Sequence, residues 1–277
     1  DTKLLDLIAE APSETGVYYM HNEAGEIIYI GKSKNIKKRL TQHFTSDNRK
    51  SKRIQLEVSA ISHELTGNEL IALLKECEEI KRKKPKYNRA LRRTLFQYQL
   101  GSFEDENGYI NLKIEKADAK KKAITTFSNH QQAKSSLFSI TEKYNLCQKL
   151  TGLYKTQSHC FNYTVKDCEG ACIKEESAKD YNIRVQLFLD EYSYANQHML
   201  VIDRGRDVDE RSVILIENGV YKGFGFYNLN YQITNPDILK SIITPMSNNR
   251  DVQHIIQTYL KKRRVLKVIP LAPEPSN

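Results

Sequence analysis

GVYYMHNEAGEIIYIGKSKNIKKRL, residues 16–40, sets two short tyrosine-bearing segments on either side of a turn and runs straight into a lysine-rich stretch. Alternating apolar residues predict strands over Val17–His21 and Glu26–Ile30, with Asn22-Glu23-Ala24-Gly25 as the turn. If Asn22 and Gly25 close a two-residue loop, Tyr18 falls opposite Tyr29 on one face, with Cβ atoms about 5 Å apart; a bulge at Gly25 would shift that register. Ser33 is the candidate cap of a helix over Lys34–Phe44. At helical periodicity Ile36, Leu40 and His43 face inward, Lys38 faces out, and Arg39 sits on the flank looking back at the strand end.

A second helix is expected from Thr66, where Thr66-Gly67-Asn68-Glu69 has the form of a capping box. Its apolar stripe is Leu70, Leu73, Leu74, Cys77 and Ile80, with Glu76 at the stripe's edge and Glu79 directly away from it. An acid at a buried edge is a candidate ligand for a hard cation. Glu69 lies near the same edge, but its place in the cap already accounts for it.

The chain has 277 residues, 43 Lys and Arg against 34 Asp and Glu, and a formal net charge of +9. A hydrophobic share of 39% excludes a disordered chain, and no apolar run approaches the roughly 20 residues of a membrane span. No signal peptide opens the sequence; its start at Asp1 rather than Met leads us to expect a processed product or part of a longer chain. Two runs concentrate the charge: Lys32–Arg53 holds nine basic residues against Asp47, and Lys81–Arg93 holds eight with no acid. Each alone reads as a solvated surface; together they suit a phosphate backbone. Lys34, Lys37, Lys38, Lys50, Lys52, Arg53, Lys84 and Lys86 are the candidate DNA contacts.

Further along, strands are expected over Phe96–Phe103 and Tyr109–Glu115 around Asn107-Gly108, and a helix over Ser128–Tyr144. Four of the five cysteines then follow as Cys147-x12-Cys160-x7-Cys168-x3-Cys172. Four thiolates satisfy either a tetrahedral Zn²⁺ or a [4Fe–4S] cluster, and free thiols in a reducing cytosol are the plain alternative. The fifth, Cys77, reads as packing, and His159 as a surface neighbour of Cys160. A helix over Glu175–Tyr194, strands over His198–Asp203, Ser212–Glu217 and Val220–Tyr227, a helix over Asn248–Lys262 and a tail with Pro270, Pro273 and Pro275 follow to the end of the chain. No second catalytic constellation is visible there.

Gly16-Val17-Tyr18, Tyr29-Ile30-Gly31-Lys32, Arg39, Glu76 and Lys86-Tyr87-Asn88 occur in order, and residues 12–93 thereby resemble the GIY-YIG nuclease family. Within it the likeness is to excision-repair nucleases of the UvrC and Cho type, whose cysteine-rich region resembles residues 147–172. The resemblance implies an α+β protein: a small mixed GIY-YIG domain at 1–95, a cysteine-bearing connector at 96–196, and an α+β module at 197–277 for DNA or a partner. It implies a cytoplasmic, nucleoid-associated, Mg²⁺- or Mn²⁺-dependent DNA endonuclease making a Cho-like single incision in damaged or distorted DNA. Tyr18 or Tyr29 would activate the water, with Lys32 lending positive charge. Arg39 would clamp the phosphate, Glu76 bind the cation, Asn88 order the metal end, and His43 either take part or pack. The cysteines would hold an iron–sulfur cluster. UvrA/UvrB-type proteins, and in a longer chain a preceding exonuclease domain, would be partners. The alternatives are a site- or structure-specific nuclease outside repair and a non-catalytic DNA-binding adaptor.

Overall fold

The computed structural model describes residues 2–92, 96–118, 121, 123–192, 198–231, 235–262 and 265–272. Arg93, Pro273, Pro275 and the expected last turn of the helix reaching Tyr194 lie outside them. The chain has the mixed helix-and-sheet composition of an α+β protein, divided into two compact units: residues 1–94 together with 198–277, and residues 95–197.

The first unit opens with α1 (Thr2–Ala9), β1 (Gly16–His21), β2 (Ile27–Ser33), α2 (Ile36–Thr45), α3 (Arg49–Glu57), β3 (Ala60–Leu65) and α4 (Glu69–Lys83). The sheet order is β2-β1-β3, all antiparallel. β1 is buried from Gly16 to Met20 because helices cover both of its faces. Tyr18 and Met20 pack with Ile36, Leu40, Ile54 and Val58 of the α2–α3 side. Val17, Tyr19 and Ile30 pack with Ala72 and Ile80 of α4. Each fully buried aliphatic side chain here is worth about 1.5–3 kcal/mol.

The hairpin register differs from the two-residue-loop expectation. Asn22 N–H donates to Glu26 O and Gly25 N–H to Asn22 O, closing a three-residue loop with Gly25 at φ 78°. A bulge between Met20 and His21 shifts the ladder again. Tyr18 therefore pairs with Gly31, and Tyr29 with Met20. The two tyrosines still share a face, as diagonal rather than direct neighbours.

Both helix starts also move. β2 runs on through Ser33, and Asn35 caps α2 by accepting from Lys38 N–H at 2.8 Å. Asn68, not Thr66, caps α4, accepting from Ile71 N–H at 2.9 Å. Glu79 is buried rather than outward, facing the Tyr19 side of β1, and it is held by ion pairs to Arg82 and Lys83.

The second unit holds β4 (Tyr98–Glu104), β5 (Ile110–Lys116), β6 (Thr125–Phe127), α5 (His130–Lys143), a short α6 (Phe161–Thr164) and α7 (Ala178–Tyr192). The sheet order is β5-β4-β6. Leu100, Phe127, Leu137, Ile140, Tyr181 and Phe188 form a core that includes Cys147 and Cys160.

Residues 198–277 return to the first unit as β7 (Met199–Arg204), β8 (Glu210–Glu217), β9 (Val220–Asn228), α8 (Pro236–Ser241), β10 (Thr244–Pro245), α9 (Arg250–Lys261) and β11 (Lys267–Pro270). They form an antiparallel sheet in the order β10-β9-β8-β7-β11. Among the described residues, no helix is long and apolar enough to cross a membrane.

Candidate active site

β1 and β2 bring Tyr18 and Tyr29 together with ring centroids 6.1 Å apart. The Tyr18 ring lies across Gly31; a Cβ there would come within 2.4 Å of the phenol oxygen, so only glycine leaves the ring this place. α2 adds His43, whose Nε2 is 2.9 Å from Tyr18 Oη and whose ring meets that of Tyr29 edge-on at 5.0 Å. α3 adds Lys50, with Nζ 4.7 Å above the Tyr29 ring. Glu76 reaches the same strand from α4, and its Oε1 accepts from Lys32 N–H at 3.0 Å.

Burial dominates the electrostatics. It pushes the Tyr18 phenol well above its ordinary value, with the nearby Tyr29 adding to the shift and Arg39 opposing it. Tyr29 is raised by burial and then by Glu76, opposed by Arg39 and by the neighbouring Tyr18 hydroxyl. His43 is lowered to about 4, by burial first and then by Arg39 and Lys50, so its imidazole is neutral at pH 7. Glu76 is raised to about 7 by burial, against the pull of the Lys32 amide and of the Lys32 and Arg39 charges. A desolvated carboxylate with one amide donor gains strongly from a divalent cation.

The other expected residues divide clearly. The Lys32 ammonium is held by Glu69 at 2.8 Å and does not reach toward Glu76, and Lys34 pairs with the same carboxylate at 3.2 Å. Glu69 is thus an ionic anchor rather than a helix cap. Asn88 is 4% exposed and clamps one strand residue from both sides: its Oδ1 accepts from Ile30 N–H at 2.9 Å and its Nδ2 donates to Ile30 O at 2.8 Å. Arg39 and Lys38 are exposed. Lys37 donates to Ala9 O at 3.1 Å, Lys52 pairs with Asp47 at 3.3 Å, and Lys86 pairs with Glu57 at 2.7 Å. Lys84 ends α4 in the left-handed region. Lys50 and Arg53, with Arg49, Lys86 and Arg89, line an open groove, and Lys50 connects it to the Tyr29 ring. Lys84, Lys86, Arg89 and Arg92 line a second one. Lys50 over Tyr29 and Glu69 bridging two lysines have no signal in local sequence, since both are contacts between distant segments.

In the second unit the sulfurs of Cys147, Cys160, Cys168 and Cys172 lie within 4.8 Å of one another. Cys147 Sγ and Cys160 Sγ are 3.8 Å apart, and Cys160 N–H points at Cys172 Sγ at 3.4 Å. Hydrogen bonding, first from Cys147, draws the Cys168 thiol down to about 6, while Cys147 and Cys160 are pushed up. Four convergent sulfurs, one already disposed to be a thiolate, fit a metal centre. Tetrahedral Zn–S bonds of about 2.3 Å place sulfurs about 3.8 Å apart, so the spacing suits a single ion, and a larger cluster would need the loop to spread. His159 stacks near Tyr163 at 5.3 Å instead of joining the sulfurs.

Residues 14–89 match the family model of the UvrC-like GIY-YIG domain, and residues 97–191 that of the UvrC/Cho excinuclease middle domain. UvrABC system protein C of Fervidobacterium nodosum is 33% identical over 188 residues, covering 67% of this chain and 32% of that protein. Excinuclease cho of Salmonella typhimurium is 30% identical over 190 residues, covering 68% of this chain and 64% of that protein. The chain therefore spans less than two thirds of either relative. The crystal structure of the GIY-YIG N-terminal endonuclease domain of UvrC from Thermotoga maritima, bound to magnesium, is 36% identical, with a TM-score of 0.30 over 32% of this chain and 98% of that one.

Proposed function

Because this chain belongs to the UvrC/Cho family of GIY-YIG nucleases, whose two models together match well over half of it, we propose that it is a divalent-metal-dependent DNA endonuclease of excision repair. It would make a single incision in damaged or distorted DNA delivered by UvrA/UvrB-type proteins. The observation that carries the reading is the convergence of two tyrosines, a neutral histidine, an arginine and a desolvated glutamate at one strand end.

Tyr29 is the base in this reading. Tyr18 is 0% exposed and cannot touch an attacking water, whereas Tyr29 is 8% exposed and lies under the Lys50 ammonium, which itself lines the basic groove. With His43 in its Nε2–H tautomer, that N–H donates to Tyr18 Oη at 2.9 Å and leaves the Tyr18 hydroxyl hydrogen free to turn toward the neighbouring Tyr29. Tyr18 and Arg39 both oppose the upward push of burial on the Tyr29 phenol. Arg39 adds positive charge beside both phenols and is exposed enough to hold a phosphate oxygen. Glu76 would hold Mg²⁺ or Mn²⁺, which when bound supplies Lewis-acid polarisation of the phosphodiester. Lys32, anchored by Glu69, presents its N–H to Glu76 and orients the carboxylate. Asn88 keeps Ile30, and with it the Tyr29–Lys32 stretch, in line.

The four cysteines would hold a structural metal centre, [4Fe–4S] by the family resemblance or Zn²⁺ by sulfur spacing. Brown protein under anaerobic purification supports the cluster; colourless protein with one equivalent of zinc supports the single ion. The nuclease reading is tested with purified protein and Mg²⁺ on nicked and lesion-bearing duplexes, with product ends mapped. One discrete nick near the lesion is expected. Tight binding with no cut on any duplex would leave the adaptor reading instead.

A further inference from the structure

Residues 198–277 lie beyond both matched family domains, yet they grip the helix that carries Glu76 at both of its ends. At its N-terminus, Asn68 uses both ends of its amide. Oδ1 caps α4, while Nδ2 donates to Arg204 O at 2.6 Å and Ser212 Oγ at 2.9 Å, on β7 and β8. Asn68 is 7% exposed and Ser212 1%, so these bonds are made out of water, where an unmet amide is most destabilising. Beside it Gly67, at φ 72°, touches Gly205 so closely that a Cβ would lie 1.8 Å from the Gly205 oxygen. At the other end of the helix, Lys81 pairs at 2.5 Å with Asp251, 3% exposed, on α9.

We propose that the C-terminal module is a positioning clamp for the metal carboxylate, with Asn68 as its key positioning residue. Attachments at both ends of α4 fix its rotation and its axial position. Glu76 lies eight residues, about 12 Å, beyond Asn68 on that rigid rod. Glu69, the anchor of Lys32, directly follows Asn68, so one displacement moves the carboxylate and the Lys32 N–H that orients it. The module therefore contributes to metal affinity and turnover without touching the substrate.

This inference rests on the reading of Glu76 as the cation ligand, and its test separates the two. Mn²⁺ binding to the full chain is followed by the loss of the free-ion EPR signal, alongside kcat and KM on a nicked duplex. Asn68→Ser keeps a capping oxygen but loses the amide donor. Ser212→Ala removes one acceptor from the opposite side and leaves α4's sequence intact. Both are expected to raise the Mn²⁺ Kd, Asn68→Ser by about tenfold, at the low end of the effect of supporting residues on metal sites. Both should lower kcat and leave KM for DNA unchanged. Asn129→Ser, the same change at the cap of α5 in the other unit, keeps the capping oxygen and should leave both Tm and Mn²⁺ binding near wild type. Wild-type Mn²⁺ affinity and kcat in Asn68→Ser, or an equal shift in Asn129→Ser, would overturn the clamp. Mn²⁺ binding that survives Glu76→Gln would overturn the metal-ligand reading and the clamp with it. Binding through Glu76 without DNA cutting would overturn only the nuclease reading.

Discussion

His43 and Glu76 titrate in opposite senses over the same pH range. The His43 imidazole is depressed from 6.5 to about 4, so the fold disfavours its protonation and loses stability as pH falls through that window. Glu76 is raised from 4.5 to about 7, so the fold favours its protonated form and the metal-free protein loses stability as pH rises from about 4.5 to 7. The slopes oppose each other between 4.5 and 6.5. The metal-free wild type should therefore show a flat Tm there. Glu76→Gln should uncover the acid-side loss from His43, and His43→Gln the loss with rising pH from Glu76. Saturating Mg²⁺ should abolish the Glu76 loss, because the ion binds the ionised form. Thermal melts of the three proteins at closely spaced pH values check this; an unchanged profile in Glu76→Gln would place that carboxylate in water. Among the phenols, Tyr29→Phe should lose about two to four orders of magnitude in turnover, as expected for a general base. Tyr18→Phe should lose less, since it removes the hydrogen bond to His43 while the base remains. Single-turnover rates decide the order, and equal small losses would reduce both rings to packing.

At the scale of elements, the tyrosine hairpin and the helix of Glu76 are legible in the sequence because motif and periodicity coincide there. The register is not. It depends on Gly25 adopting a left-handed φ and on a bulge after Met20, neither of which alternation of apolar residues encodes. α3 escapes a reading by periodicity because RKSKRIQLE has one fully apolar anchor, Ile54, in a field of charge. Its local signal is Asn48, which caps it. Glu69 reads as a cap because the local pattern explains it so well, while its lysines come from β2 and the loop after it. The corrected register carries a prediction of its own. Gly31→Ala would drive a methyl into the Tyr18 phenol, and overpacking of this kind costs about 1–3 kcal/mol. Tm should fall, and turnover should fall beyond what instability explains, because Tyr18 is pushed from its place against His43 and Tyr29. Gly101→Ala, whose new Cβ meets nothing nearer than the end of the Glu115 side chain at 3.7 Å, is the matched control.

Across the whole molecule, the two basic grooves explain why the charge is clustered rather than spread. They share Lys86 and Arg89, and Lys50 joins the first groove to the Tyr29 ring. Affinity for duplex DNA should fall steeply with salt. Arg49→Gln with Arg53→Gln should flatten the log–log slope by about 0.9 for each phosphate no longer neutralised; salt-independent binding would instead assign these surfaces to a protein partner. Joint action of the buried carboxylate on α4 and the tyrosine pair in cutting DNA is read from one gel. Wild type and Glu76→Gln, matched for Tm, are incubated with Mg²⁺ and a lesion-bearing duplex. The wild type should nick one strand at a discrete position, and Glu76→Gln should bind the same duplex with the same salt slope but leave it intact. Cutting by Glu76→Gln at the wild-type rate would contradict the account.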